Sequence, residues 1–122
     1  MQIKESAENY LEAILMLKDK NNYVRSVDVA TELGFSKASV SVAMKSFRTE
    51  GYIVIDEDGQ IELTEKGLMI ASKVRERHNV IASALMALGV SEETAFADGC
   101  KIEHDISEES FEKLKEFLSK RS

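Results

Sequence analysis

Proline is absent from all 122 residues, where average usage would supply about six. Six glycines are the only strong backbone breakers. This excludes a loop-rich or disulfide-stapled scaffold and predicts long helices with short joints. A single cysteine, Cys100, rules out an intrachain disulfide and suits a reducing compartment. No window approaches about 18 consecutive apolar residues, so no membrane span is expected. The opening MQIKESAENY is polar and has no apolar secretory stretch, which makes the cytoplasm the expected location. Positive charge is scarce as well: 16 basic against 22 acidic side chains leave a net −6. Nucleic-acid binders are usually basic overall, so the total counts against one unless the charge is concentrated locally. Residues 35–50 do concentrate it, with Lys37, Lys45 and Arg48 against Glu50.

What is present is a folded-domain balance, 43% hydrophobic and 31% charged, in a chain sized for one domain or two small ones sharing a core. The spacing of Tyr10, Leu11, Ile14, Leu15 and Leu17 predicts a helix over 5–20, with Ser6 as its N-cap. A shorter helix fits Ser26 to Leu33, capped by Ser26 and ended by Gly34. Ser36 caps a third that runs to Glu50, with Val40, Ala43, Met44 and Phe47 on one stripe. Lys37, Ser39, Ser41, Lys45 and Arg48 fall largely off that stripe. Residues 52–55 and 60–64 alternate as short strands around Asp56-Glu-Asp-Gly59, and Asp-Gly is a hairpin turn signal. Three helices followed by a two-stranded hairpin is the order of a winged helix-turn-helix, whose third helix would enter a DNA major groove.

From Thr64 the pattern returns to helix. One long helix is expected from Thr64 to Leu88, one from Ser91 to about Asp105, and a last one opening at Ser107 with Phe111, Leu114, Phe117 and Leu118 on one face. The fold class is therefore mainly α: a winged helix-turn-helix with a two-stranded wing over 1–64, then an all-helical domain over 65–122. The last ~35 residues are too few to close a core alone, so Val80, Ile81, Ala84, Leu85 and Leu88 are expected to bury against a second copy. A symmetric dimer would also set two reading helices on one side of a duplex.

Cys100-Lys-Ile-Glu103-His104 places a thiol, a carboxylate and an imidazole at i, i+3 and i+4, one face of a helix. Read alone, this is as well a buried cysteine beside a surface Glu–His pair. His78 on the long helix, with Asn9 and Glu12 three apart near the N-terminus, offers further donors. Such a mix of oxygen, nitrogen and one sulfur suits Fe²⁺, Mn²⁺ or Co²⁺ better than an all-oxygen Ca²⁺ site or an all-sulfur Zn²⁺ site.

The segments Glu5-Ser-Ala-Glu-Asn-Tyr-Leu-Glu-Ala-Ile14, Val24-Arg-Ser-Val-Asp-Val-Ala30, Ser36-Lys-Ala-Ser-Val-Ser-Val42 and Cys100-Lys-Ile-Glu-His104 resemble the metal-dependent repressors of the diphtheria-toxin-repressor and manganese-transport-regulator type. The likeness covers roughly residues 3–118, and the extent of the chain resembles the short, two-domain branch. It implies a cytoplasmic homodimer that binds a divalent metal between its DNA-binding and dimerisation domains, grips palindromic double-stranded operator DNA and represses metal-uptake genes. Carried over, the ligands are Glu12, His78, Cys100, Glu103 and His104, with Asn9 where the family has Met or Asp. Ala82 and Phe96 stand where iron-type members carry ancillary ligands. The DNA contacts implied are Ser26, Ser36, Ser39 and Ser41, with Lys37 and Lys45 for phosphate. Val42 stands where some members carry a polar reader, and Asp56-Glu-Asp58 lacks the basic wing tip common in the family. Cys100 as a soft donor tips the expected metal toward Fe²⁺ over Mn²⁺.

A second reading keeps the winged helix and makes the Cys-Glu-His group structural or redox-sensing, so that DNA binding survives a chelator. An enzyme is not expected. The chain has no Gly-rich phosphate loop and no Ser/His/Asp set, and no small organic substrate is implied.

Overall fold

A computed structural model describes residues 5–121; the first four residues of the polar N-terminal stretch lie outside them. Among the described residues there are six helices and one two-stranded antiparallel sheet. They form two compact units that part between Ser72 and Lys73.

In the first unit, α1 (Glu5–Asn21) already runs at Glu5, so Ser6, expected as N-cap, lies within the helix. It ends at Asn22, which turns left-handed (φ 66°) and donates its N–H to the Lys18 carbonyl. The helix α2 (Ser26–Leu33) is capped one residue earlier than expected: the Asp28 carboxylate accepts the Arg25 N–H at 2.9 Å, leaving Ser26 as the first helical residue. For α3 (Lys37–Thr49) the expected cap holds, because Ser36 Oγ accepts the Ser39 N–H at 3.1 Å. Strands β1 (Ile53–Ile55) and β2 (Ile61–Leu63) pair Ile53 with Leu63 and Ile55 with Ile61. Their turn is longer than a two-residue Asp-Gly loop. Gly59, at φ 80°, donates to the Asp56 carbonyl, and the Asp56 carboxylate accepts the N–H groups of Asp58 and Gln60.

The core of this unit is Leu11, Ile14, Val24, Val29, Val40, Met44, Ile53 and Ile61, all essentially inaccessible. Each such side chain contributes about 1.5–3 kcal/mol. Tyr10 joins it by ring contacts to Phe35 and Phe47 at 5.6 and 5.5 Å. The hairpin is tied back where the Ile61 N–H donates to the Val24 carbonyl at 2.7 Å. It is also tied where α4 (Glu65–Ala87) begins. Thr64 Oγ1 accepts the Gly67 N–H and donates to the Gly51 carbonyl at 2.7 Å. A Cβ on Gly67 would lie 2.1 Å from the Tyr52 carbonyl oxygen, so only glycine allows that approach.

The second unit consists of the rest of α4, α5 (Glu92–Ile102) and α6 (Glu108–Arg121). Its interior is thin: Val74, Ile81, Ala82, Ala95, Gly99 and Phe111 are its buried small and apolar residues. Ile81, expected to bury against a second copy, is sealed within the chain at 2% exposure. Leu88 (80%) and Phe117 (52%) remain exposed.

Candidate nucleic-acid interface and metal centre

The buried stripe of α3 leaves its other side to solvent. Ser36, Lys37, Ser39, Ser41, Lys45 and Arg48 are all exposed, while Ser26, at the start of α2, is half-buried. Gly34, left-handed at φ 71°, makes the tight joint that sets α2 and α3 as a helix-turn-helix pair. The outer face of α3 thus carries Lys37 at its first turn, Lys45 at mid-length and Arg48 in the last turn, against Glu50 beyond it. The hairpin tip offers no cation: Asp56, Glu57 and Asp58 are exposed.

In the second unit α5 stops at Ile102, short of the expected Asp105. Glu103, its C-cap, keeps helical angles (φ −61°, ψ −24°) and donates its N–H to Gly99, so the Cys100–Glu103 spacing remains one helical turn. His104 falls in the turn that follows rather than on the helix. Its Nε2 lies 2.9 Å from Glu103 Oε1, and both side chains are only 3% exposed. A carboxylate is expensive to bury unless compensated, and the imidazole at its side compensates it. The same two atoms, a carboxylate oxygen and an imidazole nitrogen, are metal-ligand types. Cys100, half-buried, lies one turn back on α5, and among the described residues no group of three ligand-type side chains includes it. The Glu103 oxygen and His104 nitrogen are donors that fit a transition metal.

His78, on α4, sets its Nε2 2.9 Å from the Phe96 carbonyl. A carbonyl only accepts, so Nε2 donates this bond, the kind of hydrogen bond that orients a ligand histidine. The Phe96 ring stands edge-on to it at 5.8 Å, and Ala82 is fully buried. In the first unit, Asn9 and Glu12 lie one turn apart on α1, both half-buried.

Arg77 joins the second unit through partners distant in the sequence. Its Nη2 donates to the Ile106 carbonyl at 2.7 Å, its Nη1 lies 3.7 Å from Glu108, and its guanidinium stands 5.2 Å over the Phe111 ring. It pins the turn that carries Glu103 and His104. Nothing in the spacing around Arg75-Glu-Arg77 marks it out, because its partners lie about 30 residues on.

A family model described as the iron dependent repressor N-terminal DNA binding domain matches residues 2–61. Another, the iron dependent repressor metal binding and dimerisation domain, matches residues 64–122. An uncharacterised HTH-type transcriptional regulator of Methanocaldococcus jannaschii is 35% identical over 97% of this chain and 96% of its own length. The transcriptional regulator MntR of Escherichia coli is 34% identical over 96% of this chain and 76% of its own. Among solved structures, the manganese regulator SloR is similar at TM-score 0.79 and 26% identity, over 98% of this chain and 55% of that one. The fold is shared with IdeR of T. acidophilum at TM-score 0.82 and 22% identity, over 98% and 55%.

Proposed function

Since the chain belongs to the family of iron-dependent repressors, metal-dependent transcriptional regulators of the diphtheria-toxin-repressor and MntR type, we propose that it is a homodimer that grips a palindromic operator when loaded with a divalent transition metal and so controls metal-ion homeostasis genes. Members of this family are regulators and not enzymes. In this reading residues 1–64 bind DNA, residues 65–122 hold metal and dimerise, and the setting is the cytoplasm, where the operator is. The observation that carries it is the buried Glu103–His104 pair, 2.9 Å apart, in a chain whose α3 turns an exposed cationic face outward.

The proposed ligands are Asn9, Glu12, His78, Cys100, Glu103 and His104. The family likeness supports Glu12, His78, Cys100, Glu103 and His104, with Asn9 a departure from it, and the His78–Phe96 hydrogen bond and the Glu103–His104 contact support the set within the second unit. A bound divalent ion supplies positive charge there, neutralising the Glu103 carboxylate. On the DNA side, Ser26, Ser36, Ser39 and Ser41 approach the groove, and Lys37 and Lys45 meet phosphate. Exposed Leu88 and Phe117 support a second copy as the dimer partner. Cys100 favours Fe²⁺ over Mn²⁺ as the softer donor's choice.

The test is titration of Fe²⁺, Mn²⁺ and Zn²⁺ into metal-free protein under reducing conditions, with DNA binding read by fluorescence anisotropy. Binding should require metal, with Fe²⁺ effective at the lowest concentration. Full affinity retained in chelator would instead make the protein a winged-helix regulator whose Cys-Glu-His group is structural or redox-sensing.

A further inference from the structure

Val42 is 70% exposed on a helix whose other large apolar side chains, Val40, Met44 and Phe47, are buried. By the 3.6-residue repeat it points directly away from that stripe, so core packing does not account for it. Around it on the same face stand Ala38, Ser39, Lys45, Ser46 and Thr49. Two of their hydroxyls are engaged locally. Ser39 Oγ accepts from Ser36 Oγ at 2.9 Å, and Thr49 Oγ1 donates to the Lys45 carbonyl at 2.9 Å. From Lys37 to Thr49 the helix has no Asn or Gln, the side chains that read adenine through paired hydrogen bonds, and its lysines Lys37 and Lys45 are those assigned above to phosphate. Exposed Lys37, Lys45 and Arg48 make the surroundings cationic, so the complement of this face is a polyanion that carries an apolar group at its surface. Duplex DNA has one such group in its major groove, the C5-methyl of thymine.

We propose that Val42 is a specificity-determining residue that packs on a thymine methyl, so that this chain selects a T·A pair at one position of each half-site by apolar contact. The assignment rests on the DNA-binding reading above. Replacing thymine by uracil deletes only the methyl, a change worth about three- to fivefold in affinity when the methyl is buried.

The full chain, in the presence of Mn²⁺ or Fe²⁺, is used to select operators from random duplexes. Affinity is then measured with each thymine replaced in turn by uracil. At one position per half-site uracil should weaken wild-type binding about three- to fivefold, and leave Val42→Ala binding nearly unchanged, because the methyl no longer has a partner. Equal losses in wild type and Val42→Ala, or no sensitive thymine, overturn the assignment while DNA binding stands. Failure to enrich any duplex overturns the DNA-binding reading and the assignment with it.

Discussion

His104 shows how much depends on one side chain. Its ring is almost wholly buried against the Glu103 carboxylate, in a turn outside any helix. Replacing it with Ala removes a nitrogen donor and takes the imidazole away from the buried Glu103 carboxylate, a stability cost of roughly 1–3 kcal/mol that leaves the helical spans in place. His104→Ala should therefore weaken metal-dependent DNA binding by more than about tenfold, the scale of change seen even for groups one step removed from a metal. The circular-dichroism spectrum of the metal-free protein should be unchanged. Full metal dependence in this variant would remove His104 from the ligand set. The Cys-x-x-Glu-His spacing was readable because ligand-type residues are rare here, with one cysteine and two histidines in the chain. The ending of α5 at Ile102 was not. The Asp105 and Ile106 N–H groups both turn back to the Ile102 carbonyl, and Arg77 holds the Ile106 carbonyl from another helix, a constraint that local spacing does not carry.

Between elements, the joint of hairpin and α4 is decided by Gly67. Its N–H is taken by Thr64 Oγ1 at 3.2 Å, and the Tyr52 carbonyl, which accepts the Thr64 N–H at 3.0 Å, occupies the space of a Cβ. Gly67→Ala must push backbone against backbone. A loss of roughly 1–3 kcal/mol is expected, read as a lower urea midpoint with the slope unchanged; stability within a few tenths of wild type would refute the clash. The periodicity around Gly67 reads only as helix, which is why the close approach was invisible in the sequence. Apolar periodicity did locate α1, α2 and α3. At α2 the cap moved one residue back, because the Asp28 carboxylate takes the Arg25 N–H where Ser26 was expected to cap. On α3 itself, Lys37 and Lys45 should each account for about one unit of the slope of log affinity against log salt. Lys37→Ala and Lys45→Ala should weaken all duplexes alike, and unchanged salt slopes in both would move the phosphate contacts off this helix.

For the molecule as a whole, a net charge of −6 sets the terms on which it meets DNA. Long-range attraction is weak, the acidic hairpin tip adds none, and the cations on the exposed face of α3 are Lys37, Lys45 and Arg48. In the proposed homodimer, affinity comes from presenting two such faces together, which requires that its parts be held in one arrangement. In the proposed switch, metal favours the arrangement that DNA selects, so the two ligands act on one equilibrium and each must tighten the other by the same factor. Couplings of this kind run to about 1–3 kcal/mol, a factor of roughly 5–150. The expected outcome is a closed thermodynamic box. The ratio of metal dissociation constants without and with saturating operator should equal the ratio of operator dissociation constants without and with saturating metal, both falling in that range. Val42→Ala should weaken the operator in both metal states and leave the ratio intact, because in the proposed assignment its side chain meets the thymine methyl and not the metal. His104→Ala should collapse the ratio toward one. A ratio of one in the wild-type protein would mean that metal and DNA bind without knowledge of each other, and the chain would be a DNA-binding module with no metal switch.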